Sequence, residues 1–315
     1  MIRREGTVAA GVGLALALTL GGCASEGPDQ RSPSLAPSPP SPIVVQPYSE
    51  PQDQLLANIY AGALTASGVF AEVGTEAKRG EALSGVQKAK VDVVIDTVGD
   101  LTRYLSRKQS GNTEQQGVSP DLETAMNTLR DLANPTDLAI PDPASASDAP
   151  VVAIAQSQAT AESIVTLGQL GTFSDTKAVA MGGLGTCDLA SPCLQRWVVN
   201  YGLQVADYSV TDAGANTRDE ILVGDLDAGV FPDSDGALAH QDVVVLQDNE
   251  QVTPVDNVVP VVSQEAAVPA VTDVLNRVSA ELDSPALRDL NLSVATGAGT
   301  AAQVADAWLA VNGLA

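Results

Sequence analysis

Aromatic side chains are scarce in this sequence: Phe, Trp and Tyr together make up 3% of its 315 residues. Basic residues are scarce too, with 16 Lys and Arg against 39 Asp and Glu, for a formal net charge of −23. Nucleic-acid binding draws on Lys and Arg that displace counterions from phosphates, and no basic cluster occurs beyond Arg3 and Arg4. No nucleic-acid partner is expected, and the acidity reads as solubility. There is one histidine, His240, which leaves no material for a His-based triad or a multi-His metal site. It lies in GALAHQDVVV, just ahead of a strand-like run, and reads as a surface or turn residue. The glycine-rich stretch MGGLGT at 181–186 lacks both the dinucleotide-binding spacing and the P-loop lysine, so no cofactor is expected. Asp92, Asp96 and Asp100 are spaced by four, but the first two straddle a strand end and need not share a face. These absences point away from catalysis.

The N-terminus carries an address. Arg3 and Arg4 precede an uncharged apolar stretch from Gly6 to Gly22, the layout of a secretory signal and too short to span a bilayer comfortably. It ends in Leu20-Gly21-Gly22-Cys23, which resembles a bacterial lipobox, so Cys23 is the expected lipidation site and residues 1–22 the signal. Residues 23–42 are Ser- and Pro-rich, with almost nothing to bury; such tracts stay extended at about 3 Å per residue and act as tethers. The expected location is the extracytoplasmic face of the bacterial cell membrane, anchored by lipid. With Cys23 so used, Cys187 and Cys193 remain, six positions apart, and outside the cytoplasm two nearby thiols are expected to form a disulfide.

From Ile43 onward, short β-branched runs alternate with longer segments of helical spacing. Strands are expected at 43–45, 91–95, 151–155, 178–181, 203–208, 228–231, 243–246 and 258–262. Helices are expected at 53–67, 99–107, 119–132, 159–170, 194–201, 217–223, 265–282, 284–290 and 300–314, with Ser119 as a cap and Pro120 at its first helical position. Such alternation implies an α/β protein of mostly parallel sheets flanked by helices. A Pro- and Ala-rich break at 134–150 divides the pattern into two lobes, between which a ligand cleft is expected.

Several segments, in order, resemble the glycine betaine/carnitine/choline-binding subunits of osmoprotectant ABC importers. They are IVVQPYSEPQDQLLANIYAGAL, VDVVIDTVGDLTRYL, CDLASPCLQRWVVNYGL, VTDAGANTRDEILVGDLDAGVF, PDSDGAL and VVLQDNEQVTPVDNVVPVV. The resemblance implies a two-lobed, periplasmic-binding-protein-like type II clamp, with one lobe of residues 43–150 plus 261–315 and another of 151–260. It also implies a monomeric, non-enzymatic solute-binding lipoprotein that hands its ligand to an ABC permease. A clamp-fold sensor without a transport role, and an importer subunit for another kind of solute, are the alternatives. Quaternary-amine binders of this family surround the cation with aromatic rings. Here the matching positions are Val94, Thr97, Val151, Pro232 and Asp256, none aromatic, with Tyr48 and Phe231 the nearest rings in sequence. Asp96, Asp235 and Asp256 are the candidates for pairing with a cation; Gln46, Thr97, Ser234 and Asn257 are those for hydroxyl groups. A small polar or weakly cationic solute is therefore expected, with glycine betaine as the family default.

Overall fold

The structure, a computed structural model, describes residues 41–110, 117–211 and 214–315. The expected signal, the lipidation site Cys23 and nearly all of the tether lie outside the described residues.

The first lobe opens with β1 (Ile43–Val45), α1 (Pro51–Ala66), β2 (Ala71–Val73), α2 (Arg79–Gln87) and β3 (Val93–Thr97). It continues through α3 (Val98–Ser110), α4 (Leu122–Ala133) and β4 (Leu138–Ala139). Pro51 starts α1 where a missing N–H does no harm, and Glu50 and Asp53 form a capping box around that start. The cap of α4 is Asp121, whose carboxylate accepts the Thr124 amide at 2.8 Å. Ser119, expected there, instead accepts the Asp121 amide one step earlier.

The second lobe comprises β5 (Pro150–Ala155), α5 (Gln156–Glu162), α6 (Leu167–Ser174), β6 (Val179–Gly183), α7 (Pro192–Tyr201) and β7 (Val205–Val210). It ends with α8 (Gly214–Val223), β8 (Ala228–Pro232) and β9 (Val243–Val245). The single helix expected over 159–170 is two: Ser163 turns left-handed at φ 57°, and Thr166 with Gln169 caps a fresh helix. The chain then returns to the first lobe as β10 (Val258–Ser263), followed by α9 (Pro269–Glu281), α10 (Ser284–Ala295) and α11 (Ala301–Val311).

The two five-stranded sheets have the orders β2-β1-β3-β10-β4 and β7-β6-β8-β5-β9. Both are mixed. Pairings among β1, β2 and β3, and among β6, β7 and β8, are parallel. Every pairing made by β10 or β5 is antiparallel. These are the two strands that arrive directly from the other lobe rather than through a right-handed helical crossover, which frees them from the parallel rule.

Each sheet is buried on both faces. Alternation along β3 sends Val93 and Ile95 to a core with α1, α9 and α11, and Val94 to a second core with α2, α3 and α4. In the other lobe, Val230 of β8 packs with Trp197, Leu194 and Leu170, while Phe231 packs on the opposite face with Ile221 and Leu238. Side chains of this size each contribute roughly 1.5–3 kcal/mol when fully buried.

The crossings between lobes run side by side. Ser147 bridges antiparallel to Asn257. The Asp148 amide donates to the Asp256 carbonyl at 2.9 Å, and the Val258 amide to the Ala146 carbonyl at 2.9 Å. A third fastening joins α10 to the second lobe: Arg288 pairs with Asp233, and Asn291 donates to the Ser234 carbonyl at 2.9 Å. Among the described residues, no helix is long and apolar enough to cross a membrane.

Candidate functional site

Beside these crossings lies a hollow of about 800 Å³. Asp100 and Arg103 on α3 line it from the first lobe. Arg196 and Trp197 on α7, with Leu184 and Thr186, line it from the second, and Asp148 and Asp256 come from the crossings. A smaller pocket of about 160 Å³ next to it is bounded by Val151, Asn257, Trp197 and Asp248.

Local chemistry explains why these groups are held where they are. Asp256 sits at the start of α3 and accepts the Gly99 amide at 2.7 Å and the Asp100 amide at 3.2 Å, a cap supplied from outside the helix. Gly99 makes room for it, since a Cβ there would lie 2.8 Å from the Asp256 carboxylate. Arg103 bonds both Asp100 and, at 3.3 Å, Asp256. Burial pushes the Asp256 carboxyl above its usual range, with the Thr97 hydroxyl bond opposing. Burial also acts upward on Asp100, but Arg79 and Arg103 together hold it below.

Asp148 has no cationic partner among the described residues. Its carboxylate accepts the Ser234 hydroxyl and is pushed up by burial and by neighbouring Asp256 and Asp100. Across the hollow, the Arg196 guanidinium has no ion pair among the described residues; burial pushes its pKa down, opposed only by the charge of Asp248. Trp197 is 1% exposed, and its Nε1 donates to Thr253 Oγ1 at 2.9 Å, which ties α7 to the second crossing. A disulfide joins Cys187 to Cys193 just before α7, and Cys193 itself borders the hollow.

Behind the first-lobe wall is a second polar cluster. Tyr48 Oη donates to Asp96 at 2.6 Å, and Arg79 pairs with Asp96 at 3.2 Å and Asp100 at 2.8 Å. The Arg79 guanidinium lies 5.4 Å from the Tyr48 ring centroid, so the ring face is already covered by a cation of the chain itself. Burial raises the Asp96 carboxyl to about 6, the charge of Arg79 opposing. The Tyr48 phenol is raised well above its ordinary value by burial and by Asp96.

The residues expected from sequence are therefore dispersed. Asp256 borders the hollow, and Val151 and Asn257 border the pocket beside it. Thr97 bonds Asp256, whereas Asn257 donates to the Ala144 carbonyl at 2.9 Å and so joins the crossings. Ser234 is buried against Asp148, and Asp235 caps the short helical turn at 236–239. The Gln46 backbone amide pairs with the Val93 carbonyl. Val94 and Phe231 are fully buried in sheet cores, a correction to their placement at a cleft: strand alternation turns both toward helices. Asp92 holds the Val44 amide at 2.8 Å, which separates it from Asp96 and Asp100. His240 is exposed. Asp100, Arg103, Asp148 and Arg196 also line the hollow, and of these only Asp100 is singled out by the sequence. The signal within reach was the rarity of arginine in an acidic chain, which makes one beside Trp197 conspicuous.

Residues 42–311 match the profile of the substrate-binding domain of ABC-type glycine betaine transport systems. The chain belongs to that family. Its members are solute-binding, non-enzymatic, extracytoplasmic domains of importers. No curated protein matches the sequence. Among solved structures, apo YehZ from Escherichia coli is similar at 20% identity and a TM-score of 0.76, with 88% of this chain and 100% of that one covered. A glycine betaine/carnitine/choline ABC transporter structure is similar at 15% identity and a TM-score of 0.74, covering 86% and 99%. Lactococcal OpuAC, closed on glycine betaine, matches at 10% identity and a TM-score of 0.53, covering 87% and 97%. At these identities the likeness establishes the fold, a type II α/β clamp.

Proposed function

We propose that this chain is a lipid-anchored solute-binding subunit that captures a small polar solute in the hollow between its lobes and presents it to an ABC permease. The observation that carries this reading is the hollow itself: about 800 Å³, lined by charged side chains of both lobes, in a chain of this family. A solute touching Arg196 on one side and Asp100 on the other gains its full set of contacts only when the lobes approach. Its binding energy then favours closure. The lobes are taken as 43–150 plus 261–315 and 151–260, the protein works as a monomer, and Cys23 carries the acyl anchor at the outer face of the cell membrane.

Thermal-shift screening tests the reading, because a ligand stabilises the state that binds it, by about 2.7 kcal/mol at a hundredfold excess over Kd. The panel is betaines, choline, carnitine, amino acids, polyols and sugars. At least one micromolar ligand is expected; no shift from any of them would overturn the reading. Labelling with radioactive palmitate, lost in Cys23→Ala, tests the anchor.

A further inference from the structure

We propose that the hollow takes a zwitterion whose cationic end still carries N–H bonds, a primary or secondary ammonium carboxylate, with Asp148 and Asp256 accepting from the ammonium and Arg196 donating to the carboxylate. This rests on the solute-binding reading above and narrows it.

Three observations converge. The first concerns rings. Among the described residues lining the hollow only Trp197 is aromatic, and it is packed in the core of its lobe with its indole N–H already used. The nearby Tyr48 ring is covered by Arg79. A permethylated ammonium has no proton to donate and is held by ring faces, so the site lacks what would favour it.

The second concerns acceptors. Asp148 borders the hollow with no cation paired to it among the described residues, beside the carboxylate of Asp256, which Arg103 shares with Asp100. Carboxylate oxygens recognise N–H groups through short charge-assisted bonds that a methyl cannot make.

The third is the guanidinium of Arg196 on the other wall, which makes no ion pair among the described residues and is offset only in part by the charge of Asp248. Asp148 on the first crossing and Arg196 on the second lobe, both partly desolvated and neither in an ion pair among the described residues, face one hollow. Burial shifts each toward its neutral form, Asp148 upward and Arg196 downward. One small zwitterion satisfies both, and it does so across the gap that must close.

The test is isothermal titration of the purified protein with two series in which only N-methylation changes. One runs glycine, sarcosine, dimethylglycine, glycine betaine; the other is proline against proline betaine. The expected result is a Kd that rises at least tenfold from the N–H-bearing member to the permethylated one in at least one series. Asp148→Asn and Arg196→Gln should each weaken the N–H-bearing ligand at least tenfold. Arg196 lies half-buried on a helix outside the core clusters, so Arg196→Gln keeps the test open should Asp148→Asn not fold. Betaine binding as tightly as the amine, or tighter, overturns this inference while leaving solute capture intact. So does a ligand that emerges only from the choline, polyol or sugar arms of the wider screen. No binding by any compound overturns both.

Discussion

Asp256 and Gly99 are locked together: the carboxylate accepts the Gly99 amide at 2.7 Å, and a Cβ on Gly99 would come within 2.8 Å of the same oxygen. The start of α3 and the second crossing thus form one unit. Asp256→Ala removes a helix cap and should cost about 0.5–2 kcal/mol. Gly99→Ala should cost a similar amount by pushing the carboxylate away. Because both disrupt the same contact, the double variant should lose less than the sum, as measured by denaturant melts of all four proteins.

The pH dependence of stability should carry the signature of Asp96. Its carboxyl titrates at about 6 in the folded protein, against 3.8 ordinarily. The folded state therefore binds the extra proton between those values, and stability contributed at low pH is lost as pH rises through about 6. Asp96→Asn removes that term. The melting temperature of the native protein relative to Asp96→Asn should climb as pH falls from 7 to 4; a flat difference would count against it.

Gly183 ends β6 at φ 130°, and a Cβ there would lie 2.1 Å from the Val230 carbonyl oxygen. No rotamer change relieves a clash with backbone. Gly183→Ala should destabilise the second lobe by more than about 2 kcal/mol, read as a drop in melting temperature or as loss of soluble protein.

The Cys187–Cys193 disulfide closes a short loop, so its entropic contribution is about 2 kcal/mol. Its position matters more than that figure, since Cys193 borders the hollow one turn before Arg196 and Trp197. Cys187→Ser/Cys193→Ser should lower the melting temperature modestly while weakening ligand binding severalfold by calorimetry.

Much of the fold was legible because β-branched runs such as VVIDT and VVPVVS stand apart from segments of helical spacing. What escaped was either short or relational. The strands Ala71–Val73 and Leu138–Ala139 have two or three residues each and exist through their partners, and the antiparallel sense of β5 and β10 follows from the crossings, not from local composition. The site was less legible still. Asp148 falls in a Pro- and Ala-rich stretch that reads as a linker, and only its neighbours in space, Ser234 and Asp256, mark it out. Val94 and Phe231 mislead because matching a family's position in sequence does not tell which face of a strand meets a helix.

The placement of β10 between β3 and β4 has a consequence for biosynthesis. Every strand of the second sheet lies within residues 150–245, so that sheet has all its strands as soon as this stretch has emerged. The first lobe is left in two pieces, β2-β1-β3 and β4, until residue 263 arrives to join them. Nascent chains cut short of Val258 would be half-built on one side and whole on the other, an order that limited proteolysis of stalled chains could read directly.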